Sequence, residues 1–248
     1  MKALSLLTLF LLFSLVSCQN SGTESQDQTK VSAEVVSENL LSPEEVDEGW
    51  QLLFDGNSLD GWHSYGQDSV SGWMIEAGQL TNDPEIAGGD ITTNNEYTNY
   101  ELSLEWKVAE GGNSGIIYRV IENSLYEGPP ETGPEYQLID DIGYPGDLKD
   151  GQLTAANYDM HPPQKSAFKG ANVYHHAHII INDSLVEHYL DGELIVSYKQ
   201  WSEDWEERRK ISKWVNYPGY GTAKSGKIAL QDHGNRVWFK NIKIKPLR

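Results

Sequence analysis

Cysteine is nearly absent from this chain: Cys18 is the only one among 248 residues. No intrachain disulfide can form, so the fold must be held by its hydrophobic core alone. Basic residues are also few, because 19 lysines and arginines stand against 37 acidic residues and give a net charge of −18. This charge makes nucleic acid and an anionic membrane surface unsuitable partners.

Phenylalanine is scarce beside the other aromatic residues: the chain has 5 Phe, 8 Trp and 13 Tyr. Trp and Tyr rings can stack on the C–H bonds of a sugar while their polar atoms form hydrogen bonds. They also suit the core of a β-sandwich, so the composition favours carbohydrate binding without establishing it. The length allows one sizeable domain with terminal extensions.

Long apolar runs are missing except near the N terminus, where residues 3–16 follow Lys2. This run is short for a transmembrane helix and typical of a signal peptide. It ends in Leu15-Val16-Ser17-Cys18, which looks like a bacterial lipobox. We therefore expect a lipoprotein signal peptide over residues 1–18 with a lipid anchor on Cys18. The alternative is a plain secretory signal with an accidental cysteine.

The predicted anchor implies an exported protein on a bacterial membrane, either periplasmic or at the cell surface. Residues 19–41 are rich in Ser, Glu, Gln and Thr and have no aromatic residue, which predicts a disordered tether. A capping box at Ser42-Pro43-Glu44-Glu45 predicts a short helix, and a second helix is expected over residues 202–213.

The rest of the chain, residues 42–248, has the pattern of an antiparallel all-β domain. Short apolar runs are bounded by Asp, Gly and Asn turns, as at Glu76-Ala77-Gly78 and Asp191-Gly192. Residues 143–169 have no clear period, and a loop of that length in a compact domain is usually functional or disordered.

One stretch offers a polar strand face. Within residues 133–141, Glu135, Gln137 and Asp141 share one side of a predicted strand. Arg119 lies near the end of the otherwise apolar run 115–120. We interpret the domain as a β-sandwich whose concave sheet carries Arg119, Glu135 and Gln137 as a carbohydrate site.

Six motifs in order resemble the 3-keto-disaccharide hydrolase family over residues 49–248. They are Trp50-Gln51-Leu52-Leu53-Phe54-Asp55-Gly56, Leu59-Asp60-Gly61-Trp62, Gly112-Asn113-Ser114-Gly115-Ile116, Pro134-Glu135-Tyr136-Gln137-Leu138-Ile139-Asp140-Asp141, Glu187-His188-Tyr189-Leu190-Asp191-Gly192 and Ile228-Ala229-Leu230-Gln231-Asp232-His233-Gly234. Asp191 departs from the asparagine more usual in the family, and both residues tolerate the turn.

The resemblance implies a concanavalin-like jelly-roll sandwich of two antiparallel sheets with one or two short helices. It also implies a 3-keto sugar substrate, oxidised at C3 by a separate upstream sugar 3-dehydrogenase. A ketone at C3 acidifies the proton on C2, so an enolate can expel the C1 substituent before water adds. This chemistry needs a base, a positive group at the enolate oxygen and an acid for the leaving group.

A conventional glycosidase needs two carboxylates about 5 to 10 Å apart. The strand triplet Glu-x-Asp-x-Glu of laminarinase-like sandwiches is absent from this sequence. Glu135 and Asp141 would be about 20 Å apart along an extended strand. A pair from two adjacent strands stays open, as does a non-catalytic carbohydrate-binding module.

The candidate catalytic residues are Glu135, Arg119, His233 and His188. Burying Arg119 among apolar residues is costly unless it pairs with an anion. That anion is either the charge that develops on the substrate or, in a structural ion pair, the carboxylate of Glu135 or Glu105. Histidine moves protons near neutral pH, but His188 shares its face with Val186 and Leu190, which favours a core position. The candidate substrate-binding residues are Gln137, Glu105, Tyr118, Asp140, Asp141, Gln231 and Asp232.

No cofactor is required by the sequence, and a divalent metal that polarises the C3 ketone stays open. His176 and His178 have the spacing of two metal ligands on a strand, but no third ligand accompanies them. Chance histidines on a partly exposed strand are the better explanation of this pattern.

Overall fold

The computed structural model describes residues 38–247, which form a sandwich of two antiparallel β-sheets. The predicted signal peptide, the lipobox with Cys18 and most of the tether lie outside the described residues. Across residues 38–247, no helix is long and apolar enough to cross a membrane.

The larger sheet has eight strands, and its edge hairpin forms at the predicted Asp191-Gly192 turn. In spatial order its strands are β11 (Glu193–Lys199), β10 (Leu185–Leu190), β9 (His175–Asn182), β6 (Tyr100–Val108), β13 (Val237–Pro246), β4 (Gln79–Asn82) and β3 (Trp73–Glu76), with β1 (Gln51–Leu52) paired to β13.

The smaller sheet has five strands and carries the stretch around Glu135. In spatial order they are β2 (Trp62–Ser64), β5 (Ile91–Thr93), β12 (Lys227–Leu230), β7 (Asn113–Val120) and β8 (Glu135–Ile139). The prediction of an all-β sandwich of two antiparallel sheets is confirmed.

Both predicted helices are present. Helix α1 (Pro43–Asp47) begins at the Ser42 capping box, and helix α2 (Glu203–Ile211) begins where the Ser202 side chain accepts a hydrogen bond from the Trp205 amide. Three 3-10 helices complete the described elements, at Pro129–Glu131, Asp150–Gln152 and Lys213–Asn216.

The hydrophobic core lies between the two sheets and decides which strand face is left for function. Tyr136 and Leu138 of β8 are fully buried in this core together with residues of the larger sheet. Because side chains alternate along a strand, Glu135 and Gln137 project from the opposite face. Ile117 belongs to a separate small cluster on that face. We call this side of the smaller sheet the outer face.

Candidate active site

A cleft of about 100 Å³ lies on the outer face above β7 and β8. The cleft is built from strands β7 and β8, the segment that follows β12, the long loop and two 3-10 helices. The lining residues are Asn113, Pro130, Glu135, Gln137, Tyr158, Lys213, Gln231 and His233. Four of the residues predicted from the sequence, Glu135, Gln137, Gln231 and His233, are thus brought together.

Glu135 is the most perturbed acid in the cleft. Its side chain is buried, and burial raises its pKa from 4.5 to about 8. The nearby positive charge of Lys213 lowers the pKa and the negative charge of Asp90 raises it, but desolvation is the largest effect. A carboxylate with this pKa is a much stronger base than an exposed one.

Gly115 makes room for the Glu135 carboxyl group. It is the register partner of Gln137 on the neighbouring strand β7. A Cβ atom at this position would overlap the Glu135 carboxylate. The glycine at the end of the Gly112-Asn113-Ser114-Gly115 motif therefore leaves the space that the Glu135 carboxyl group occupies in the cleft.

Replacing Gly115 with alanine is expected to displace the Glu135 side chain. Misplacement of a reacting group by about 1 Å can cost roughly 10²-fold in rate, so Gly115→Ala should lower kcat/KM by about that factor. The matched control is Gly151→Ala, where a new Cβ meets its nearest neighbour at 3.5 Å. Equal rates for the two variants would contradict the role given to Gly115.

Lys213 is the cation of the cleft, and an aromatic stack fixes its position. Trp214 stacks on Tyr220 with ring centroids 4.3 Å apart, and its indole N–H donates to the Tyr158 carbonyl at 3.0 Å. The Lys213 Nζ lies 4.3 Å from the centroids of both Tyr158 and Trp214. Desolvation lowers the pKa of Lys213, while the charges of Glu135 and Asp159 raise it.

A second carboxyl group, Asp90, stands close enough to influence Glu135. It precedes β5, and one of its oxygens accepts a hydrogen bond from the Asp232 amide at 2.9 Å. Burial raises the pKa of Asp90 to about 7, and the charge of Asp232 adds to this. Glu135 in the cleft and Asp90 beside it therefore both titrate near neutral pH, a recurring feature of acid–base sites.

Amide side chains supply the neutral hydrogen-bonding groups of the cleft. The Asn113 Oδ1 is buried and has no hydrogen-bond partner among residues 38–247. Gln137 uses its Oε1 to accept from the Leu138 amide, which leaves its NH₂ as a donor. A buried acceptor without a partner is costly, so a hydroxyl group bound here would satisfy Asn113.

Arg119 does not reach the cleft, contrary to the prediction. Strand β7 has one extra residue between its pairings with Ala229 and Lys227, and Arg119 takes a left-handed conformation there with φ of 57°. This β-bulge breaks the alternation on which the prediction depended. The guanidinium instead donates to Gln200 Oε1 and to the Asp183 carbonyl, both at 2.5 Å.

The buried position of Arg119 predicts a role in stability. Arg119→Met removes two charged hydrogen bonds and leaves Gln200 Oε1 and a carbonyl without partners, so the free energy of unfolding should fall by about 2 kcal/mol or more. We expect kcat/KM of the folded variant to stay within about twofold of wild type, because Arg119 contacts no residue of the cleft. A large loss of activity in a variant of unchanged stability would contradict this assignment.

His188 and Tyr118 lie in the core between the sheets and also miss the cleft. The His188 Nδ1–H donates to the Ala155 carbonyl at 2.9 Å, so its Nε2 accepts from the Tyr118 hydroxyl at 2.9 Å. Burial lowers the pKa of His188 to about 3, which keeps it neutral. The hydrogen bonds of His188 are thus satisfied within the core. This is the core position that the sequence offered as the alternative to a catalytic role.

The predicted acidic ligands other than Glu135 hold local structure. Glu105 lies on the larger sheet, where it accepts from Asn241. Asp140 accepts from the amides of Gly111 and Gly143 and thereby fixes a turn. Asp141 and Asp232 also fix local structure. Asp141 accepts hydrogen bonds from Thr154, and Asp232 accepts from Asn82 and Gly234.

The histidine pair on β9 is also distant from the cleft, on the larger sheet. The His176 Nε2 lies 2.8 Å from the Ser103 hydroxyl, and the His178 Nε2 lies 3.0 Å from a Glu101 oxygen. Among residues 38–247, no group of three or more His, Cys, Asp or Glu side chains is arranged to hold a metal ion.

Sequence reasoning missed Lys213 and Tyr158 as cleft residues and Asp90 as a neighbouring acid. Lys213 begins a 3-10 helix, Tyr158 lies in a loop and Asp90 precedes β5, so no strand periodicity indicates which way these side chains point. Asn113 had a usable signal, because it lies in a family motif directly before Ser114-Gly115. Tyr158 lies in the long loop 143–169, whose length already favoured a functional role.

The fold and the cleft define an all-β sandwich protein with a polar site on the outer face of its smaller sheet. The chain belongs to the family described as the 3-keto-alpha-glucoside-1,2-lyase-like domain, whose model matches residues 49–245. The resemblance recognised in the sequence motifs is thereby confirmed.

Similar proteins agree with this membership. A 3-keto-disaccharide hydrolase of Bacteroides thetaiotaomicron is 31% identical, with 94% of each chain covered. A solved structure from Parabacteroides distasonis, assigned as a glycosyl hydrolase, is 40% identical with a TM-score of 0.82, covering 86% of this chain and all of that one. A second structure from that organism is 24% identical with a TM-score of 0.64, covering 80% of this chain and 99% of that one, and supports the fold alone.

Proposed function

We propose that this protein cleaves 3-keto-glycosides, including 3-keto-disaccharides, by removing the proton on C2. The observation that carries the proposal is Glu135, a buried carboxyl group whose pKa is raised to about 8 and which faces an open cleft beside a lysine. Family membership and the name of the Bacteroides relative support the same substrate class.

In the proposed reaction the Glu135 carboxylate takes the C2 proton, and the bonding electrons form an enolate with its charge on the C3 oxygen. The Lys213 ammonium stabilises that charge. As the ketone reforms, the C1–O bond breaks and its electron pair leaves with the leaving-group oxygen, to which protonated Asp90 gives a proton. This step leaves a double bond between C1 and C2. Water then adds across it, with the hydroxyl group on C1 and a proton on C2, and completes the hydrolysis.

The neutral groups of the cleft fit the rest of a sugar ring. Asn113 offers an unused acceptor and Gln137 an unused donor, while His233 and Gln231 border the opening. A cleft of about 100 Å³ admits the reacting edge of the ring, and the remainder lies outside it. The proposed 3-keto substrate requires an upstream sugar 3-dehydrogenase. Export on a lipid anchor at Cys18 is part of the same proposal.

Substrate discrimination tests the proposal directly. The purified protein should release the leaving group from a 3-keto glucoside and leave the unoxidised parent glucoside intact, because only the ketone acidifies C2–H. Cleavage of the parent at a similar rate would instead favour a conventional glycosidase using the Glu135 and Asp90 pair. Turnover of neither substrate would favour a carbohydrate-binding module.

The pH profile of kcat/KM should report the Glu135 base. The profile should be bell-shaped, because the proposed reaction needs Glu135 ionised and Asp90 protonated, and their pKa values are about 8 and 7. In Asp90→Asn the limb that reports Asp90 should disappear. The limb that reports Glu135 should move to lower pH, because the variant removes a negative charge that raises the Glu135 pKa. A profile that stays bell-shaped in this variant would contradict the proposed role of Asp90.

A further inference from the structure

The outer face also carries a second, larger cavity, which the proposed chemistry leaves unused. Its volume is about 700 Å³, within the range of small-molecule sites. It lies at the opposite edge of the smaller sheet, near β2, β5 and the start of β12. The lining is mostly polar, and the residues that matter here are His63, Tyr65, Asn94, Glu122, Tyr126 and Lys227. We call it the outer cavity.

A charged network holds the floor of the outer cavity in place. The Glu122 carboxylate accepts from the Lys227 ammonium and from the Gly66 amide, and one of its oxygens lies 2.9 Å from the His63 Nε2. The three side chains are only 12 to 17% exposed. The His63 Nδ1 lies 2.6 Å from the Asn94 Oδ1, which leaves the Asn94 NH₂ group as a donor.

Such a network is weak evidence of a stability role, because a buried ion pair often contributes little to stability. Here its members face an open cavity instead of packed core. Charged groups held in fixed positions make strong hydrogen bonds to ligand hydroxyl groups. Tyr65 and Tyr126 add ring faces on which the C–H bonds of a sugar can stack.

A hollow of about 410 Å³ adjoins the outer cavity, with which it shares Tyr65. The hollow is also lined by Asp90. The Asp90 carboxylate accepts a hydrogen bond from the amide of Asp232, which stands between the cleft residues Gln231 and His233. Asp90 therefore borders the hollow and is bonded to the segment that lines the cleft.

We propose that the outer cavity binds a sugar unit of the leaving group, so that this protein acts best on 3-keto-oligosaccharides whose leaving group is longer than one sugar. The proposal rests on the proposed function, in which Asp90 protonates the leaving group and thus sets the direction in which that group extends. An uncharged polyol suits the outer cavity, because the net charge of −18 disfavours a polyanionic ligand.

A series of leaving groups tests this proposal. The substrates are 3-keto glucosides that release methanol, glucose or a glucose disaccharide, assayed with the wild type, Lys227→Met and Tyr126→Ala. For the wild type, kcat/KM should rise about tenfold or more between the glucose and the disaccharide leaving group, as expected for one or two charge-assisted hydrogen bonds. Both variants should lose this gain and keep the wild-type value on the methyl glycoside.

The matched control is Tyr189→Ala, which removes a partly buried tyrosine from the larger sheet and should keep the full gain. No gain with length in the wild type, or an equal loss on all three substrates in folded Tyr126→Ala, would overturn the proposal. If the wild type turns over none of the series, the proposed function fails. Calorimetric binding of the unoxidised glucose trisaccharide then decides: binding that Tyr126→Ala abolishes supports the outer cavity as a sugar site, and no binding overturns it.

Discussion

Glu135→Gln is expected to lower kcat/KM on a 3-keto glycoside by about 10²- to 10⁴-fold, the usual contribution of a positioned general base. Glutamine has nearly the same shape, so the cleft should keep its geometry, but its amide cannot accept a proton at neutral pH. The substitution therefore removes the base and little else.

The same substitution is expected to stabilise the fold at alkaline pH. The folded-state pKa of about 8 lies above the unfolded value of 4.5, so folded Glu135 keeps a proton that the unfolded chain releases. The free energy of unfolding of the wild type thus decreases as the pH rises from about 4.5 to 8, by about 1.4 kcal/mol for each unit of pKa difference. Glu135→Gln does not titrate and avoids this loss.

Thermal unfolding at two pH values checks this expectation. At pH 8.5 the Tm of Glu135→Gln should exceed that of the wild type by roughly 10 to 20 °C, which corresponds to about 5 kcal/mol in a domain of this size. At pH 4.5 the two values should nearly coincide. Glu207→Gln, on the exposed side of α2, is the matched control. An active Glu135→Gln variant with wild-type rates would remove Glu135 from the mechanism.

Lys213→Met is expected to lower kcat/KM by about 10²- to 10³-fold, comparable to the loss of one group that stabilises an oxyanion. Methionine keeps much of the apolar stem that packs over Tyr158 and Trp214, so the loss reports the charge. Removing that charge should also raise the Glu135 pKa, because Lys213 lowers it in the wild type. The limb of the pH profile that reports Glu135 should then move to higher pH.

The matched control for Lys213 is Lys210→Met in the last turn of α2, which should keep wild-type kinetics. The shift in the pH profile separates the proposed role from a purely structural one, since a packing defect would lower the rate without moving the limb. Residual activity near the wild-type level in a folded Lys213→Met variant would mean that another group stabilises the enolate.

Much of the fold follows from the sequence because turns and strand faces leave local signals. The Ala77-Gly78 and Asp191-Gly192 turns both have positive φ in the structure and close the hairpins predicted for them. The Ser42 and Ser202 caps likewise begin the two predicted helices. These signals depend only on neighbouring residues, which the sequence displays directly.

The site was less predictable because it depends on long-range geometry. The alternation that placed Glu135 and Gln137 on one strand face was sound for β8, but a single inserted residue in β7 turned Arg119 toward Gln200. Lys213 reaches the cleft only because Trp214 stacks on Tyr220. Nothing local to these residues indicates such contacts, so the sequence did not show that Lys213 lines the cleft and Arg119 does not.

Deuterium incorporation at C2 tests the central claim most directly. When the purified protein turns over a 3-keto glucoside in D₂O, the released keto sugar should carry deuterium at C2, and the enzyme-dependent incorporation should disappear with Glu135→Gln. Release of the leaving group with hydrogen fully retained at C2 would contradict the account, because cleavage would then proceed without proton abstraction by Glu135.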